Sequence, residues 1–278
     1  MGSTHFLDGQ WVDEQDLKIS AFDLSVLRGF GVFDFLRTYH HVPFELDTHV
    51  DRLFDSAKAI GLDAPWDRNQ IKELVKIGIE KNQNGQDLEV RIVATGGVSS
   101  DFITPGKPSL IMIFHPLTTY PGECYTEGVK VITFSSKRFL PASKSLNYLA
   151  AVVATRQAHG EGAVEALYVD EQGRINEGTT SNFLAVVGDS LITPPVSEIL
   201  LGVTREVIIK LAASEGIKME EKPLYVRDIS QFQEAIITST TKEIMPVVKI
   251  NDQIVGDGKV GPITRRLANS FKSFVNSI

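Results

Sequence analysis

Cysteine is nearly absent from this sequence, because Cys124 is the only one in 278 residues. A single thiol excludes an internal disulfide framework and a zinc site built from several thiolates, and we predict no metal site. Long apolar runs are also missing, which argues against membrane-spanning helices. The first residues lack the charged segment and apolar stretch of a secretory signal peptide. These absences together predict a cytoplasmic protein.

Positive charge is scarce and scattered. The chain has 28 Lys and Arg against 35 Asp and Glu, for a formal net charge of -7, and no basic run exceeds two residues. Proteins that bind nucleic acids usually carry a basic patch or stripe, and proteins that bind membrane surfaces carry basic segments. The sequence therefore predicts neither a nucleic acid nor a membrane as a partner.

The composition is that of a globular protein, with 42% hydrophobic and 23% charged residues. A chain of this length can form one large domain or two small ones. A segment rich in β-branched and aromatic residues predicts a strand at 32–39, and a helix is predicted at 68–81. Strands and helices are mixed rather than strictly alternating, which indicates an α+β architecture.

A loose, proline-containing stretch between His115 and Gly122 suggests a domain boundary. We predict a smaller N-terminal α/β domain at residues 1–117, a linker at 118–122 and a larger C-terminal domain at 123–278. Internal repeats and low-complexity segments are absent from the sequence.

Lys144 and Glu177 carry the strongest chemical signal. Lys144 lies in Ser-Lys-Ser-Leu-Asn-Tyr-Leu, and Glu177 precedes Gly178 and a hydroxyl-rich turn. A lysine amine can hold the aldehyde of pyridoxal phosphate as a Schiff base, and a carboxylate can keep the pyridine nitrogen protonated. A buried carboxylate is costly unless a cation such as a pyridinium pairs with it. The pair predicts pyridoxal 5′-phosphate as the cofactor, although a lone lysine is more often a solvated surface residue.

The segments around these residues resemble the class IV aminotransferases, whose fold is called type IV among pyridoxal phosphate enzymes. That family includes branched-chain aminotransferases, D-amino-acid transaminases and aminodeoxychorismate lyases. The resemblance implies an α+β fold of two domains, like that of D-amino-acid aminotransferases, with the cofactor in the interdomain cleft and bound mainly by the C-terminal domain. It also implies a homodimer. The matching segments occur in order at 144–149, 165–170, 177–183, 193–195, 202–205 and 238–244, within a resemblance from about Phe22 to about Phe271.

The resemblance assigns the cofactor phosphate to three places. Gly202-Val203-Thr204-Arg205 offers amides and a hydroxyl at the start of a helix, so Val203 and Thr204 are predicted contacts, and a plain threonine cap is the alternative. Thr240 matches a second phosphate contact. Arg52 matches the arginine that neutralises the phosphate, against the alternative of a solvated arginine on a helix face.

Tyr148 lies four positions beyond Lys144 and matches the tyrosine whose hydroxyl meets the ring oxygen of the cofactor. The segment is one residue shorter than in many branched-chain enzymes, and in this it resembles the D-amino-acid transaminases. The alternative is a core tyrosine on the first turn of a helix, which the pattern predicts at 146–159.

Arg28, Arg91 and Thr241 are the predicted substrate contacts. Arg28 stands where branched-chain enzymes and the better-known D-amino-acid transaminases carry a tyrosine, and Arg91 matches an arginine of the branched-chain substrate site. Both arginines lie in or beside apolar segments. We therefore predict that a substrate carboxylate completes a bidentate pair with each. A salt bridge to Asp34, Glu89 or another carboxylate is the alternative.

The sequence leaves three functions to compare. Transamination between an amino acid and a 2-oxo acid is favoured, with D-amino acids slightly ahead of branched-chain L-amino acids, because Arg28, Arg91 and Thr95-Gly96-Gly97 resemble a less typical subgroup that includes D-amino-acid transaminases. Elimination of pyruvate from 4-amino-4-deoxychorismate, which yields 4-aminobenzoate, would use the same lysine and electron sink. A cofactor-binding protein without turnover is disfavoured, because the catalytic set is in place.

Overall fold

A computed structural model describes residues 3–278 of the chain. Contacts between residues divide it into two compact units. The first contains the residues up to Thr118, the segment Ser143–Tyr148 and Ile278, and the second contains Thr119–Ala142 and Leu149–Ser277. The predicted domain boundaries differ from this grouping at Ser143–Tyr148, because this segment forms backbone hydrogen bonds with the first unit.

The first unit is built on a six-stranded sheet in which every neighbouring pair is antiparallel. Its strands are β1 (Thr4–Leu7), β2 (Gln10–Asp13), β3 (Gly31–Tyr39), β4 (Val42–Pro43), β5 (Leu88–Thr95) and β6 (Leu110–Pro116). The strand order is β2-β1-β6-β5-β3-β4. Strand β3 confirms the strand predicted at 32–39.

Three helices belong to this unit: α1 (Leu24–Arg28), α2 (Leu46–Ala59) and α3 (Arg68–Lys81). The bounds of α3 are those predicted, and a capping box between Asp67 and Gln70 fixes its start. Helices α2 and α3 bury their apolar faces in one core with the sheet. The buried helix residues of that core are Val50, Leu53, Ala57, Ile71, Val75 and Ile79.

The segment Ser143–Tyr148 is attached to β3 and α2. The backbone amide of Phe33 donates to the Lys144 carbonyl at 2.9 Å, and the Leu146 amide donates to the Gly31 carbonyl at 2.9 Å. The Lys144 amide donates to the Ser56 hydroxyl of α2 at 3.0 Å. These bonds hold the backbone of Lys144 against the sheet of the first unit.

The second unit contains a ten-stranded mixed sheet. Along the main path the strands follow the order β12-β11-β10-β14-β15-β7-β8-β9-β13. The strands are β7 (Val129–Ser135), β8 (Glu165–Val169), β9 (Arg174–Gly178), β10 (Asn182–Val187), β11 (Ser190–Thr193), β12 (Lys218–Glu221), β13 (Leu224–Tyr225), β14 (Glu234–Ser239), β15 (Glu243–Ile250) and β16 (Gln253–Ile254). One further pairing, between Glu177 of β9 and Asn182 of β10, closes six of these strands into a ring.

Four helices belong to the second unit: α4 (Glu123–Thr126), α5 (Leu149–Gly160), α6 (Val203–Ser214) and α7 (Pro262–Val275). Short 3-10 turns occur at Glu14–Asp16 in the first unit and at Val196–Glu198 and Val226–Gln231 in the second. The helix predicted at 146–159 is present, but it begins three residues later, as α5. Within residues 3–278, none of the helices combines the length and the apolar character that crossing a membrane requires.

Candidate active site

Lys144 lies against aromatic rings in the first unit. Its Nζ atom is 4.7 Å from the centroid of the Phe33 ring, and that ring packs edge-on against the Tyr148 ring at 5.2 Å. Tyr148 is half-buried and precedes α5. The alternative interpretation of Tyr148 as a core residue on the first helical turn is therefore wrong. The structure brings the predicted lysine and tyrosine together around one phenylalanine that sequence reasoning had not singled out.

Arg52, on α2, is held by a buried carboxylate. Its Nε atom donates to Asp34 Oδ2 at 2.8 Å and its Nη2 atom donates to Asp34 Oδ1 at 2.9 Å. The Arg52 side chain is only 12% exposed, which contradicts the alternative of a solvated arginine on a helix face. Such a bidentate pair fixes both the position and the plane of the guanidinium.

His49 completes this cluster from one turn earlier on α2. Its Nδ1 atom lies 2.7 Å from Asp34 Oδ1, and both side chains are fully buried. Burial alone would raise the pKa of Asp34, but Arg52 and His49 hold that pKa well below its usual range. Burial lowers the pKa of His49, so the ring is neutral at pH 7 and Nδ1 is the protonated donor to Asp34. Asp34 was considered only as a partner for Arg28 or Arg91, and its pairing with Arg52 and His49 was not predicted, because no local motif names these partners.

Arg28 and Arg91 are exposed, and this contradicts the expectation that they lie in apolar surroundings. Arg28 ends α1, and its Nη1 atom donates to the neighbouring Leu27 carbonyl at 2.8 Å. Arg91 lies on β5, where its guanidinium is 5.6 Å from the Phe35 ring and 6.0 Å from the Phe33 ring. Within residues 3–278 neither arginine forms a salt bridge, so the predicted alternative of an internal pair is also not found.

Glu177 lies in β9 of the second unit and is buried. Its Oε1 atom accepts a hydrogen bond from Arg138 Nη1 at 3.3 Å, and its Oε2 atom accepts from the Leu200 amide at 3.1 Å. The Arg138 guanidinium is a cation that offsets part of the cost of burying this carboxylate. The sequence contained no signal for this pair, because the two residues are 39 positions apart.

The first turn of α6 offers backbone amides for an anion. Gly202 is the N-cap, and no side chain caps the helix, so the alternative of Thr204 as a routine threonine cap is wrong. Val203 and Thr204 are the first two helical residues, and both are buried. A Cβ on Gly202 would lie 1.9 Å from Asn182 Oδ1, which explains why a residue without a side chain occupies this position.

Asn182 connects the predicted residues of the second unit. It pairs with Glu177 on one side and with Thr238 on the other, and its side-chain amide donates to the Leu200 carbonyl at 2.8 Å. Strand β14 ends one residue after Thr238, and Thr240 and Thr241 form the turn to β15. Register across β9, β10 and β14 therefore places Glu177, the Thr240 turn and the approach to α6 in one region.

The residues of this region fit a phosphorylated pyridine. Anions bind readily at helix N-termini, because the amides of the first turn lack intrahelical partners. The amides at Gly202–Thr204 have no capping side chain. The Thr238 hydroxyl is buried without a hydrogen-bond partner among the described residues, and Glu177 is a buried carboxylate suited to a protonated ring nitrogen.

Comparison with known proteins gives matches over nearly the whole chain. Residues 31–250 match the family described as amino-transferase class IV. A protein of Methanocaldococcus jannaschii with the provisional name branched-chain-amino-acid aminotransferase is 41% identical over 276 residues, which covers 96% of this chain and 94% of that protein. The D-alanine aminotransferase of Staphylococcus epidermidis is 35% identical over 278 residues, which covers 98% of each chain.

Solved structures give the same result. The branched-chain aminotransferase of Thermoproteus uzoniensis, solved with norvaline, has a TM-score of 0.91 and 30% identity over 100% of this chain and 96% of that one. The branched-chain amino acid aminotransferase of Escherichia coli has a TM-score of 0.92 and 28% identity over 99% of this chain and 95% of that one. The similarity therefore extends over both units.

Proposed function

Because the chain belongs to the class IV aminotransferases, we propose that Lys144 carries its reaction and that Glu177 and Arg52 hold the two charged ends of pyridoxal 5′-phosphate. The chain is a pyridoxal-phosphate-dependent aminotransferase with the two-domain α+β fold of type IV, as the sequence resemblance implied. The position of the Lys144 amine is the observation that supports this proposal most directly. Its amine is 4.7 Å from the Phe33 ring, in a segment bonded to α2, the helix that carries Arg52.

When bound, pyridoxal phosphate supplies an aldehyde that condenses with amines and a protonated ring that accepts electrons from the reacting carbon. Lys144 would hold that aldehyde when the cofactor is bound, and its amine would serve as the base that removes the proton from the substrate α-carbon. The Phe33 ring lies beside the Lys144 amine, and the Tyr148 ring packs edge-on against Phe33. Tyr148 is proposed to donate its hydroxyl to the ring oxygen.

The remaining proposed contacts neutralise charge. Glu177 keeps the ring nitrogen protonated, and the Arg138 guanidinium lies 3.3 Å from the Glu177 carboxylate. The amides of Val203 and Thr204 and the hydroxyl of Thr240 bind the phosphate. Arg52 adds a positive charge whose orientation Asp34 fixes; a preformed arrangement of this kind avoids reorganisation during the reaction.

We propose D-amino acids as the preferred amino donors, with a 2-oxo acid as acceptor. The 35% identity to D-alanine aminotransferases over 98% of both chains supports this preference. The combination of Arg28, Arg91 and Thr95-Gly96-Gly97 also supports it, because it resembles a less typical subgroup that includes D-amino-acid transaminases. Branched-chain L-amino acids are the second candidate, because the 41% identical relative and the similar solved structures carry branched-chain names.

A substrate screen tests the proposed specificity. The full chain with cofactor would be assayed with D-alanine, D-glutamate, L-leucine and L-valine, each with 2-oxoglutarate and with pyruvate. We expect turnover with D-amino acids to exceed turnover with branched-chain L-amino acids. The reverse order would establish the second candidate. A parallel assay for 4-aminobenzoate from aminodeoxychorismate is expected to show no product, and product formation would revive the lyase alternative.

We predict that Arg28 and Arg91 recognise the substrate carboxylate. Arg28→Ala and Arg91→Ala should each raise the KM for the amino acid about tenfold or more, since a hydrogen bond to a charged group is lost. Because both side chains are exposed, folding should not suffer. Arg68→Ala is the matched control, since Arg68 is also exposed and lies over the ring of Phe54. Unchanged KM values in both test variants would remove the two arginines from the substrate site.

We propose that the active protein is a homodimer. In the second unit, α5 exposes Leu149, Val152 and Val153, and the preceding loop exposes 88% of Phe139. The helix residues lie at i, i+3 and i+4, so they share one face. Apolar surface concentrated in this way usually meets a partner. Sedimentation equilibrium is expected to give twice the mass of one chain, and a stable, active monomer would contradict the proposal.

A further inference from the structure

A buried lysine outside the proposed catalytic set, Lys242, forms an ion pair in the second unit. Its Nζ atom is 3.4 Å from Glu165 Oε2, and the two side chains are only 5% and 1% exposed. The same Nζ donates to the Thr180 hydroxyl at 2.8 Å and lies 5.5 Å from the centroid of the Tyr120 ring. Desolvating two charges is costly, so a buried pair needs further hydrogen bonds to be tolerated.

Glu165 accepts these further hydrogen bonds from the turn between β9 and β10. Its Oε1 atom accepts from the Thr179 hydroxyl at 2.9 Å, from the Thr180 amide at 2.5 Å and from the Thr180 hydroxyl at 2.9 Å. Its Oε2 atom accepts from the Ser181 hydroxyl at 2.7 Å. This turn directly follows Glu177, and a Cβ added at Gly178 would lie 2.3 Å from Ser181 Oγ. Glu165 therefore fixes the backbone just after Glu177.

Lys242 lies in the turn between β14 and β15, and its side chain contacts the turn between β9 and β10 at Thr180. It follows Thr240 and Thr241 directly, and its own amide donates to the Ser239 hydroxyl at 3.3 Å. One side chain thus connects the turn that carries the proposed phosphate hydroxyl with the turn that follows the proposed pyridine carboxylate.

Both members of the pair are charged at neutral pH. Burial lowers the pKa of Lys242, but Glu165 and Tyr120 outweigh this effect, and the pKa lies above its ordinary value. Burial likewise raises the pKa of Glu165, but Lys242 and the hydrogen bonds from the turn bring it below its ordinary value. The link between the two turns is therefore ionic as well as hydrogen-bonded.

We propose that Glu165 and Lys242 are a positioning pair that fixes the spacing between Glu177 and the Thr240 turn. With this spacing, Glu177 can bind the ring nitrogen of the cofactor while Thr240 binds its phosphate. The inference rests on the proposed cofactor roles of Glu177 and Thr240. It assigns Lys242 an effect on cofactor binding and on kcat that acts through Glu165 and the two turns.

Lys242→Met tests the proposal, because methionine fills much of the same volume without the charge. Cofactor affinity would be measured by absorbance titration of the cofactor-free full chain, and inorganic phosphate affinity by calorimetry. We expect Kd for pyridoxal phosphate to rise about tenfold. Losses of this order occur at metal sites when a residue that orients a ligating side chain by a hydrogen bond is removed. Inorganic phosphate should bind more weakly, and kcat should fall more than KM changes. Lys242→Arg, which keeps the charge, should recover part of each loss.

Lys218→Met is the matched control. Lys218 lies in the same unit and pairs with Glu220 and Asp189, but it is 59% exposed, so its removal should leave the cofactor Kd and kcat unchanged. Thr180→Val provides a second test that leaves the ion pair intact and removes the hydroxyl through which Lys242 and Glu165 hold the turn. It should weaken cofactor binding in the same direction, and it decides the question if Lys242→Met does not fold.

The outcomes separate this inference from the proposed function. If Lys242→Met and Thr180→Val lower the melting temperature but bind cofactor and turn over as the parent does, the pair serves stability alone and the inference is overturned. Thr240→Ala checks the premise, and it should weaken binding of both pyridoxal phosphate and inorganic phosphate. If Thr240→Ala binds both like the parent, the proposed phosphate site is wrong, whatever the Lys242 variants do.

Discussion

Replacing Lys144 with alanine is expected to abolish turnover. The amine is both the proposed covalent attachment point for the cofactor aldehyde and the proposed base for the α-proton, so one substitution would remove two functions. Loss of a positioned base alone costs about 10²–10⁴ in rate. The backbone of Lys144 is held by Phe33 and Ser56, so the fold of the first unit should persist. Steady-state assays and the absorbance of the bound cofactor measure the two losses separately.

Two further lysine variants sharpen this test. Lys144→Arg keeps a positive charge near the Phe33 ring but cannot form the covalent bond, so it should be as inactive as the alanine variant. Lys58→Ala changes an exposed lysine of α2 and should leave activity unchanged. Borohydride reduction of the parent, followed by peptide mapping, should place the pyridoxyl group on Lys144. A label on another lysine would refute the assignment.

Secondary-structure elements and motif residues that depend on short contiguous segments could be predicted from the sequence. The helix at 68–81 and the strand at 32–39 follow from local patterns, and both are present. Lys144 and Glu177 were identified by their immediate neighbours, and the family that those neighbours resemble is the one that the chain matches. Their catalytic roles stay predictions, as does the cytoplasmic location.

The apolar neighbours of Arg91 in sequence did not indicate its exposure, for an identifiable reason. Its neighbours in sequence, Val90 and Ile92, are fully buried, and this suggested a buried guanidinium. Successive residues of a strand point to opposite faces of a sheet, so buried neighbours on both sides place Arg91 on the other face. The alternation is visible in the sequence, where Glu89 and Arg91 alternate with Leu88, Val90 and Ile92.

The partners of the predicted residues could not be read from the sequence at all. Arg138 pairs with Glu177 across 39 positions, and Lys242 bonds to Thr180 across 62 positions. Such pairs depend on which strands are neighbours and in which register, and local patterns do not encode either. Asn182 illustrates the point, because its role follows from pairing with both β9 and β14.

Replacing Glu177 with glutamine is expected to lower kcat by about 10²-fold or more, the order seen when a preorganised electrostatic partner of a transition state is removed. Glutamine keeps the size of the side chain, and its carbonyl can still accept the hydrogen bond from the Leu200 amide. It lacks the charge that keeps the ring nitrogen protonated. The Arg138 guanidinium, 3.3 Å from the carboxylate in the parent, then disfavours a second positive charge nearby. Removal of the α-proton should therefore become slower.

The comparison of rate with affinity identifies the cause. Cofactor affinity should fall less than kcat, because the contacts proposed for Lys144, Arg52 and the α6 amides with the other parts of the cofactor are unchanged. An α-deuterated substrate should show a larger kinetic isotope effect in the variant, since proton removal becomes more fully rate-limiting. Glu198→Gln is the control, because Glu198 also pairs with basic side chains, those of Lys137 and Arg174, but has no assigned role. If Glu177→Gln retains near-normal kcat, Glu177 serves only as a partner for Arg138 and Leu200, and the pyridine nitrogen must be protonated by another group.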